Sequence, residues 1–216
     1  MGTSPWRLVT VDIDGTLTTT HGWLEIAREF GREADYRALL RRFRAGEINE
    51  DQNIAGLLEF VEGRSLAEVE KVLEATPKLA HIPEGVARFQ EEGIHVALLT
   101  HNPAYVTDWY RRYGGFEDAA GLFGRQPVGE VIGRAEAIRT DKAGGLRELT
   151  HRFEVVPSSV VHVGDGGADA AVFSMVGRGV ALNSRLPAVD RAADLVLRST
   201  DFQAVVEGVL ALNPRA

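Results

Sequence analysis

The chain has 216 residues, of which 44% are hydrophobic, so one domain with a sizeable core, alone or with a modest insertion, is expected and disorder is not. Its formal net charge of -7 is spread along the chain without a basic block, which argues against a nucleic-acid partner. It contains no cysteine, which excludes disulfides and thiolate metal sites and is typical of a cytoplasmic protein.

The first predicted element is a buried strand over residues 7–12, RLVTVD, which ends on an acidic residue. Asp12 closes the strand, and Asp14 follows two positions later, just before Gly15. Taken alone, this pair is typical of a strand-ending turn, because Asp and Gly supply side-chain hydrogen bonds and unusual backbone angles. The alternative is a metal and phosphate site, and the rest of the chain has to decide between the two.

The next segment, residues 22–76, shows helical spacing only, with four predicted helices. The fourth begins at Ser65, and Glu68 three positions later completes the capping-box pattern. Because four helices are more than one crossover connection needs, we expect a separate helical-bundle cap over residues 18–82.

Beyond the cap, strands and helices alternate along the chain. A helix is predicted over residues 83–93, and further strands over residues 95–100, 158–166, 179–183 and 193–197, with a short helix after the third strand and another at the end. This alternation predicts an α/β fold, a Rossmann-like parallel sheet with helices on both faces, formed by residues 1–17 and 83–216. Ligands of such sheets lie beyond the carboxyl ends of the strands, where Asp12, Thr100 and Asp165 are expected.

The acidic residues at these strand ends indicate a cation. Asp165 ends the third strand, and Asp169 follows four positions later at the start of a helix. Carboxylates crowded at one edge are unfavourable without a cation, and Mg²⁺ prefers such oxygen ligands and bridges to phosphate. Backbone N–H groups of the helix after Gly166, with Thr100 and Lys142, suit a phosphate dianion.

Four motifs in order carry a resemblance to a known family. They are DIDGT at residues 12–16, Thr100 in LLTHN, Lys142 in TDKAGG, and GDGGAD at residues 164–169. With them, the chain resembles the haloacid dehalogenase superfamily, and most closely its phosphoserine phosphatase branch. Four spaced motifs are a far more specific signal than any one of them.

The resemblance implies a Mg²⁺-dependent phosphomonoesterase that acts on a small phosphorylated metabolite. Asp12 is then the nucleophile that forms an aspartyl-phosphate, and Asp14 is the acid and base. The metal ligands are the side chains of Asp12 and Asp165 and the backbone carbonyl of Asp14, while Asp169 orients the metal shell. The implied phosphate-binding residues are Gly15 through its amide, Thr100, His101 and Lys142.

The substrate pocket departs from that branch. Phosphoserine phosphatases place a glutamate and an arginine where this chain has His21 and Leu57, to meet the substrate's amino group and carboxylate. An arginine fork contributes strongly to carboxylate binding, so we expect a preferred substrate other than phosphoserine unless another cap arginine (Arg41, Arg42 or Arg44) substitutes. Ala168 also stands where an asparagine is usual.

Other functions stay open at this point. A phosphomutase would return the phosphoryl group to a sugar, and a pseudoenzyme would bind phosphate without turnover. A dehalogenase is disfavoured, because that branch lacks the second aspartate of the first motif, which is present here as Asp14. Since no apolar run is long enough for a membrane span, no membrane partner is expected.

Overall fold

The computed structural model describes residues 4–122, 130–133 and 142–214. In these ranges the strands are β1 (Leu8–Val11), β2 (His95–Pro103), β3 (Asp118–Leu122), β4 (Val160–Gly164), β5 (Arg178–Leu182) and β6 (Leu195–Leu197). The α-helices are α1 (Gly22–Glu29), α2 (Glu33–Arg44), α3 (Glu50–Leu58), α4 (Leu66–Ala75), α5 (Ile82–Glu91), α6 (Ala104–Gly114), α7 (Lys142–Arg152), α8 (Gly167–Phe173), α9 (Pro187–Ala192) and α10 (Gln203–Ala211).

The six strands form one parallel sheet in the order β3-β2-β1-β4-β5-β6. β1 lies between β2 and β4, and the direction in which successive strands are added reverses there. In open α/β sheets, ligands bind at the carboxyl ends beside such a reversal. The predicted Rossmann-like parallel sheet is therefore confirmed, and its reversal lies where Asp12 leaves β1.

Both faces of the sheet are covered, which explains why β1 is buried along its whole length. Val9 and Val11 pack on one face in a core cluster that includes residues of α5 and α10. Leu8 packs on the opposite face with Leu146 and Leu149 of α7. This continuous apolar packing holds the carboxyl ends of β1 and β4 in fixed register.

Five helices lie between β1 and β2: α1 to α4, as the helical spacing of residues 22–76 predicts, and then α5. The capping box at the start of α4 is also confirmed, since Ser65 and Glu68 exchange side-chain and backbone hydrogen bonds. The chain enters and leaves this segment side by side: Thr19 N–H donates to the Pro77 carbonyl (3.0 Å), and Leu79 N–H donates to the Leu17 carbonyl (2.9 Å). The exact boundaries of a cap stay a prediction.

The structure corrects two predictions about strands. β3 was not predicted, because its sequence DAAGL has no β-branched or aromatic residue, and it forms at the sheet edge through pairing with β2. β2 was predicted to end at Thr100 but continues to Pro103, with an irregular register between Leu99 and Pro103. Irregularities of this kind change the direction in which side chains point, and they are common next to active sites.

Membrane insertion through a helix has no support in the described part of the chain. None of the helices there combines the length and the apolar character that a membrane crossing requires.

Candidate active site

Three carboxylates meet at the carboxyl ends of β1 and β4. Asp12 follows β1 directly, and its N–H donates to the Val163 carbonyl of β4 (3.0 Å). Asp165 follows β4, and Asp169 lies on the first turn of α8. One carboxylate oxygen from each of Asp12, Asp165 and Asp169 lies within 4.8 Å of the other two. The prediction that acidic residues meet at this edge of the sheet is therefore confirmed.

The turn after β1 depends on Gly15. This residue has a φ of +81°, and a Cβ built there would lie 2.4 Å from Asp165 Oδ2. Any side chain would therefore push into the carboxylate cluster. The Gly15 N–H donates to Thr18 Oγ1 (3.1 Å) within the turn, so it would have to exchange that partner to bind a phosphoryl oxygen.

Asp169 is held on both of its oxygens. Its Oδ1 accepts from Lys142 Nζ (2.5 Å) and contacts His162 Nε2 (2.9 Å). Its Oδ2 accepts from the backbone N–H of Asp165 (3.2 Å) and of Gly166 (2.9 Å). With these four partners, Asp169 is suited to orienting the site rather than to ligating a metal directly.

His162 is a part of this network that the sequence analysis did not assign to the site. It lies fully buried on β4, with Nδ1 2.9 Å from Thr10 Oγ1 and Nε2 facing Asp169. A polar pattern inside a buried strand, Thr10 on β1 and His162 on β4, is the signal that could have revealed it. The two residues are register partners in the sheet.

Lys142 links the nucleophile candidate to this network. Its Nζ lies 2.9 Å from Asp12 Oδ1, and its side chain is 5% exposed. Burial would lower the pKa of Lys142, but the charges of Asp12 and Asp169 raise it, so the ammonium stays protonated. Burial would also raise the pKa of Asp169, but Lys142 and the His162 hydrogen bond hold it below its usual range.

Lys142 contacts Asp12 and Asp169, so it balances only part of the negative charge of the three carboxylates. Burial, with the charges of Asp12 and Asp169, raises the pKa of Asp165 to about 8. Burial also raises the pKa of Asp12, against the attraction of Lys142. A divalent cation at these oxygens would supply the missing charge, so the residues present fit a hard metal ion such as Mg²⁺.

Asp14 is positioned from the helical insertion as well as from the sheet. Its Oδ1 accepts from the Gly22 N–H at the start of α1 (2.7 Å). Its Oδ2 accepts from the Asn102 side-chain amide on β2 (2.8 Å). Both oxygens are thus fixed, and a Cβ at Gly22 would lie 2.8 Å from Asp14 Oδ1, which leaves no room for a side chain there.

Asn102 is a site residue that the sequence interpretation did not assign. It is 3% exposed, and its Oδ1 accepts from Trp23 Nε1 of α1 (3.0 Å), which sets the amide so that Nδ2 faces Asp14. Nδ2 also donates to Thr100 Oγ1 (3.0 Å). Asn102 therefore ties α1, β2 and the carboxylate of Asp14 together.

We predict that Asn102→Ala lowers kcat with little change in KM. A hydrogen bond to a charged group contributes about 1.5–3 kcal/mol, which corresponds to a loss of roughly tenfold to a hundredfold if it acts on the transition state. Steady-state kinetics on a phosphomonoester measure this, with the exposed Asn213→Ala as control. An unchanged kcat in a folded Asn102→Ala protein would contradict the positioning role.

Apart from Gly15, which is not among its lining residues, the predicted site residues share one cavity of about 550 Å³, lined by Asp12, Asp14, His21, Leu57, Thr100, His101, Lys142, Asp165 and Asp169. His21 Nδ1 lies 3.8 Å from Asp14 Oδ1, and His101 Nδ1 lies 3.1 Å from Glu50 Oε1 of α3. Thr100 accepts from Asn102, so its own hydroxyl proton is left for another partner. The roles of these residues stay predictions, but the fold brings all of them to one place.

Comparison with known sequences connects this geometry to one family. A family model described as haloacid dehalogenase-like hydrolase matches residues 6–177. A phosphoserine phosphatase from Vibrio cholerae is 25% identical over 203 residues, which is 92% of this chain and 61% of that protein. A phosphoserine phosphatase from Methanocaldococcus jannaschii is 21% identical over 207 residues, which is 93% of this chain and 96% of that protein. The chain thus spans less than two thirds of the Vibrio relative.

Comparison with solved structures supports the fold. A HAD family hydrolase from Salmonella enterica serovar Typhi superposes with a TM-score of 0.81 at 17% identity, covering 90% of this chain and 68% of that one. At this identity the likeness concerns the fold alone. The overall fold of this chain, over 90% of its length, is therefore shared with a solved protein.

Proposed function

The chain belongs to the haloacid dehalogenase-like hydrolases, and from that premise we propose that it is a Mg²⁺-dependent phosphatase of small phosphorylated metabolites. The observation that carries the proposal is the pair formed by buried Asp12, beside Lys142, and Asp14, whose two oxygens are held by Gly22 and Asn102. One carboxylate is placed beside a cation, and the other is fixed at the cavity wall. The phosphoserine phosphatases among its relatives support this reaction class.

The metal would be held by Asp12 and Asp165, together with the Asp14 backbone carbonyl. Asp169 would orient this shell through its bonds to Lys142 and to the N–H groups of Asp165 and Gly166. When bound, the ion neutralises negative charge on the phosphoryl oxygens. This assignment is supported by the closeness of the three carboxylates and by the four hydrogen-bond partners that Asp169 already has.

The chain's own residues divide the reaction into two steps. A carboxylate oxygen of Asp12 attacks phosphorus, the bond from phosphorus to the ester oxygen breaks, and Asp14 donates a proton to the departing alcohol. A water then attacks phosphorus, Asp14 takes its proton, and the bond to Asp12 breaks to release phosphate. Lys142 holds Asp12 and offsets charge as the phosphoryl group moves.

We also propose that residues 18–82 act as a cap over this site. This segment supplies His21, Trp23, Glu50, Ile54 and Leu57 to the cavity wall. The Gly22 N–H reaches Asp14 from the same segment. We therefore expect the position of this segment to control how well water is excluded from the site and how Asp14 is placed.

Phosphate release in the presence and absence of metal tests the proposal. We expect the protein to release phosphate from p-nitrophenyl phosphate over many turnovers with Mg²⁺. We expect chelation to lower the rate by roughly a hundredfold or more, because the carboxylate cluster then repels the substrate. Added Mg²⁺ should restore activity and raise the melting temperature, as a ligand of the folded state does. Asp165→Asn should lose this stabilisation by Mg²⁺.

Three outcomes would contradict it. Equal activity with and without chelator would show that the reaction needs no metal ion. Release of only one phosphate per enzyme would indicate a protein that binds phosphate without turnover. Transfer of the phosphoryl group to an added sugar instead of water would indicate a phosphomutase.

A further inference from the structure

The residues that line the cavity opposite the carboxylate cluster come mostly from the helical segment between β1 and β2, and the alcohol of a bound phosphate ester would lie against them. The apolar part of this lining is formed by Trp23, Phe43, Ile54 and Leu57. The polar part includes Glu50, at the first turn of α3, and His101 of β2. The charge and polarity of these lining residues determine which alcohol binds there.

The charge on this side is negative. Among the described lining residues, Lys142 is the lysine, and it is committed to Asp12 and Asp169 at the phosphoryl end. The same described lining contains no arginine, and the α2 residues Arg41, Arg42 and Arg44, which could have replaced a substrate-binding arginine, are exposed to solvent and lie outside it. A carboxylate on the alcohol would therefore face Glu50 without a fixed cation.

His101 adds a buried ring nitrogen without a hydrogen-bond partner among the described residues. Its Nδ1 lies 3.1 Å from Glu50 Oε1, which favours a proton on Nδ1 and leaves Nε2 as an acceptor in the neutral ring. That Nε2 is the buried nitrogen concerned. A buried polar atom without a partner is costly, so a donor on the ligand would be favoured there.

The aromatic residues suit a cation. Trp23 and Phe43 line the same cavity as Glu50, and aromatic rings attract ammonium groups, most strongly when these are desolvated. The Trp23 indole is also held in place through its Nε1 bond to Asn102. A fixed aromatic surface beside a carboxylate is a combination that recognises a positively charged, partly apolar group.

We propose that the preferred substrates are phosphate esters of positively charged amino alcohols that lack a carboxylate. The ammonium group lies at Glu50 against Trp23 and Phe43, and the phosphoryl group lies at Asp12. This inference rests on the proposed phosphatase function and deepens it. It also gives a physical reason why phosphoserine, whose carboxylate meets Glu50 and Leu57, is disfavoured.

Two matched substrate pairs test it. Phosphocholine and its uncharged carbon analogue 3,3-dimethylbutyl phosphate differ in the positive charge, and phosphoethanolamine and phosphoserine differ in the carboxylate. We expect kcat/KM to be about tenfold or more higher for the first member of each pair. p-Nitrophenyl phosphate serves as the general phosphatase substrate.

The variant Glu50→Gln keeps the size of the side chain and removes its charge. We expect it to lower the phosphocholine to 3,3-dimethylbutyl phosphate ratio of kcat/KM about tenfold. Glu59→Gln, just after α3 and exposed, is the matched control and should keep the wild-type ratio.

The results separate this inference from the proposed function. Release from p-nitrophenyl phosphate with both ratios near one, or with phosphoserine preferred, overturns the inference and leaves the phosphatase function. A Glu50→Gln ratio equal to that of wild type also overturns it. Absence of release from every ester, p-nitrophenyl phosphate included, overturns both.

Discussion

Asp12→Asn is expected to abolish turnover, with a loss of roughly 10³-fold or more, as is common when an enzyme loses its nucleophile. The amide has almost the same shape as the carboxylate but is a poor nucleophile, so no phosphoenzyme forms. The substitution also removes the negative charge that Lys142 Nζ contacts at 2.9 Å, although Asp169 still pairs with that lysine. We therefore expect the fold to persist.

The measurement is phosphate release from p-nitrophenyl phosphate, with phosphoenzyme trapped by acid quench. Circular dichroism and the melting temperature report whether the variant is folded. Asp35→Asn is a matched control, because Asp35 lies on α2 with an exposed side chain and pairs with Arg32 away from the cavity. Substantial turnover by folded Asp12→Asn protein would remove Asp12 from the nucleophile's role.

Asp14→Asn is expected to lower turnover by roughly 10²–10⁴-fold, the usual contribution of a general acid and base. The two steps should respond differently to the leaving group. A nitrophenolate departs without protonation, so phosphoenzyme should still form from p-nitrophenyl phosphate, while its hydrolysis slows because water has lost its base. Rapid mixing should show a burst of about one nitrophenolate per enzyme, followed by a slow phase.

The same variant should also be less stable. Both Asp14 oxygens accept hydrogen bonds, from the Gly22 N–H and from the Asn102 amide, and Trp23 prevents that amide from turning over. The side-chain amide N–H₂ of an asparagine at position 14 would face the donor of either Gly22 or Asn102, and two facing donors cost about 1–3 kcal/mol of unfolding free energy. Denaturant unfolding measures this cost.

Two results would contradict the assignment. Normal turnover without a burst would take Asp14 out of the reaction. Low turnover without a burst would place the defect in the first step alone. An unchanged unfolding free energy would mean that the hydrogen bonds from Gly22 and Asn102 contribute little.

Much of the site could be predicted because its signals are local in the chain. Asp12, Asp14 and Gly15 follow a strand at once, and Asp165 and Asp169 stand at a strand end and a helix start. Strand periodicity places such residues at one sheet edge without knowledge of any packing. The capping box at Ser65 was predictable for the same reason.

The structure had to supply whatever depends on contacts between distant parts of the chain. β3 forms because β2 offers it a pairing edge, while its own residues do not favour a strand. His162 matters because the sheet register sets it beside Thr10 and because α8 brings Asp169 to its other nitrogen. No short sequence motif predicts these contacts between distant residues.

Neighbouring residues alone specify the class of the fold and the acidic residues that meet at the edge of the sheet, because strands, turns and helix caps are local features. The way in which Asp14 is held, and the side chains of α1 to α3 that line the cavity, depend on packing. Asn102 lies 88 positions from Asp14 and 79 from Trp23, and the pairing of Glu50 with His101 joins α3 to β2. Such contacts exist only once the helices are packed against the sheet, since hydrogen bonds need partners within about 3 Å.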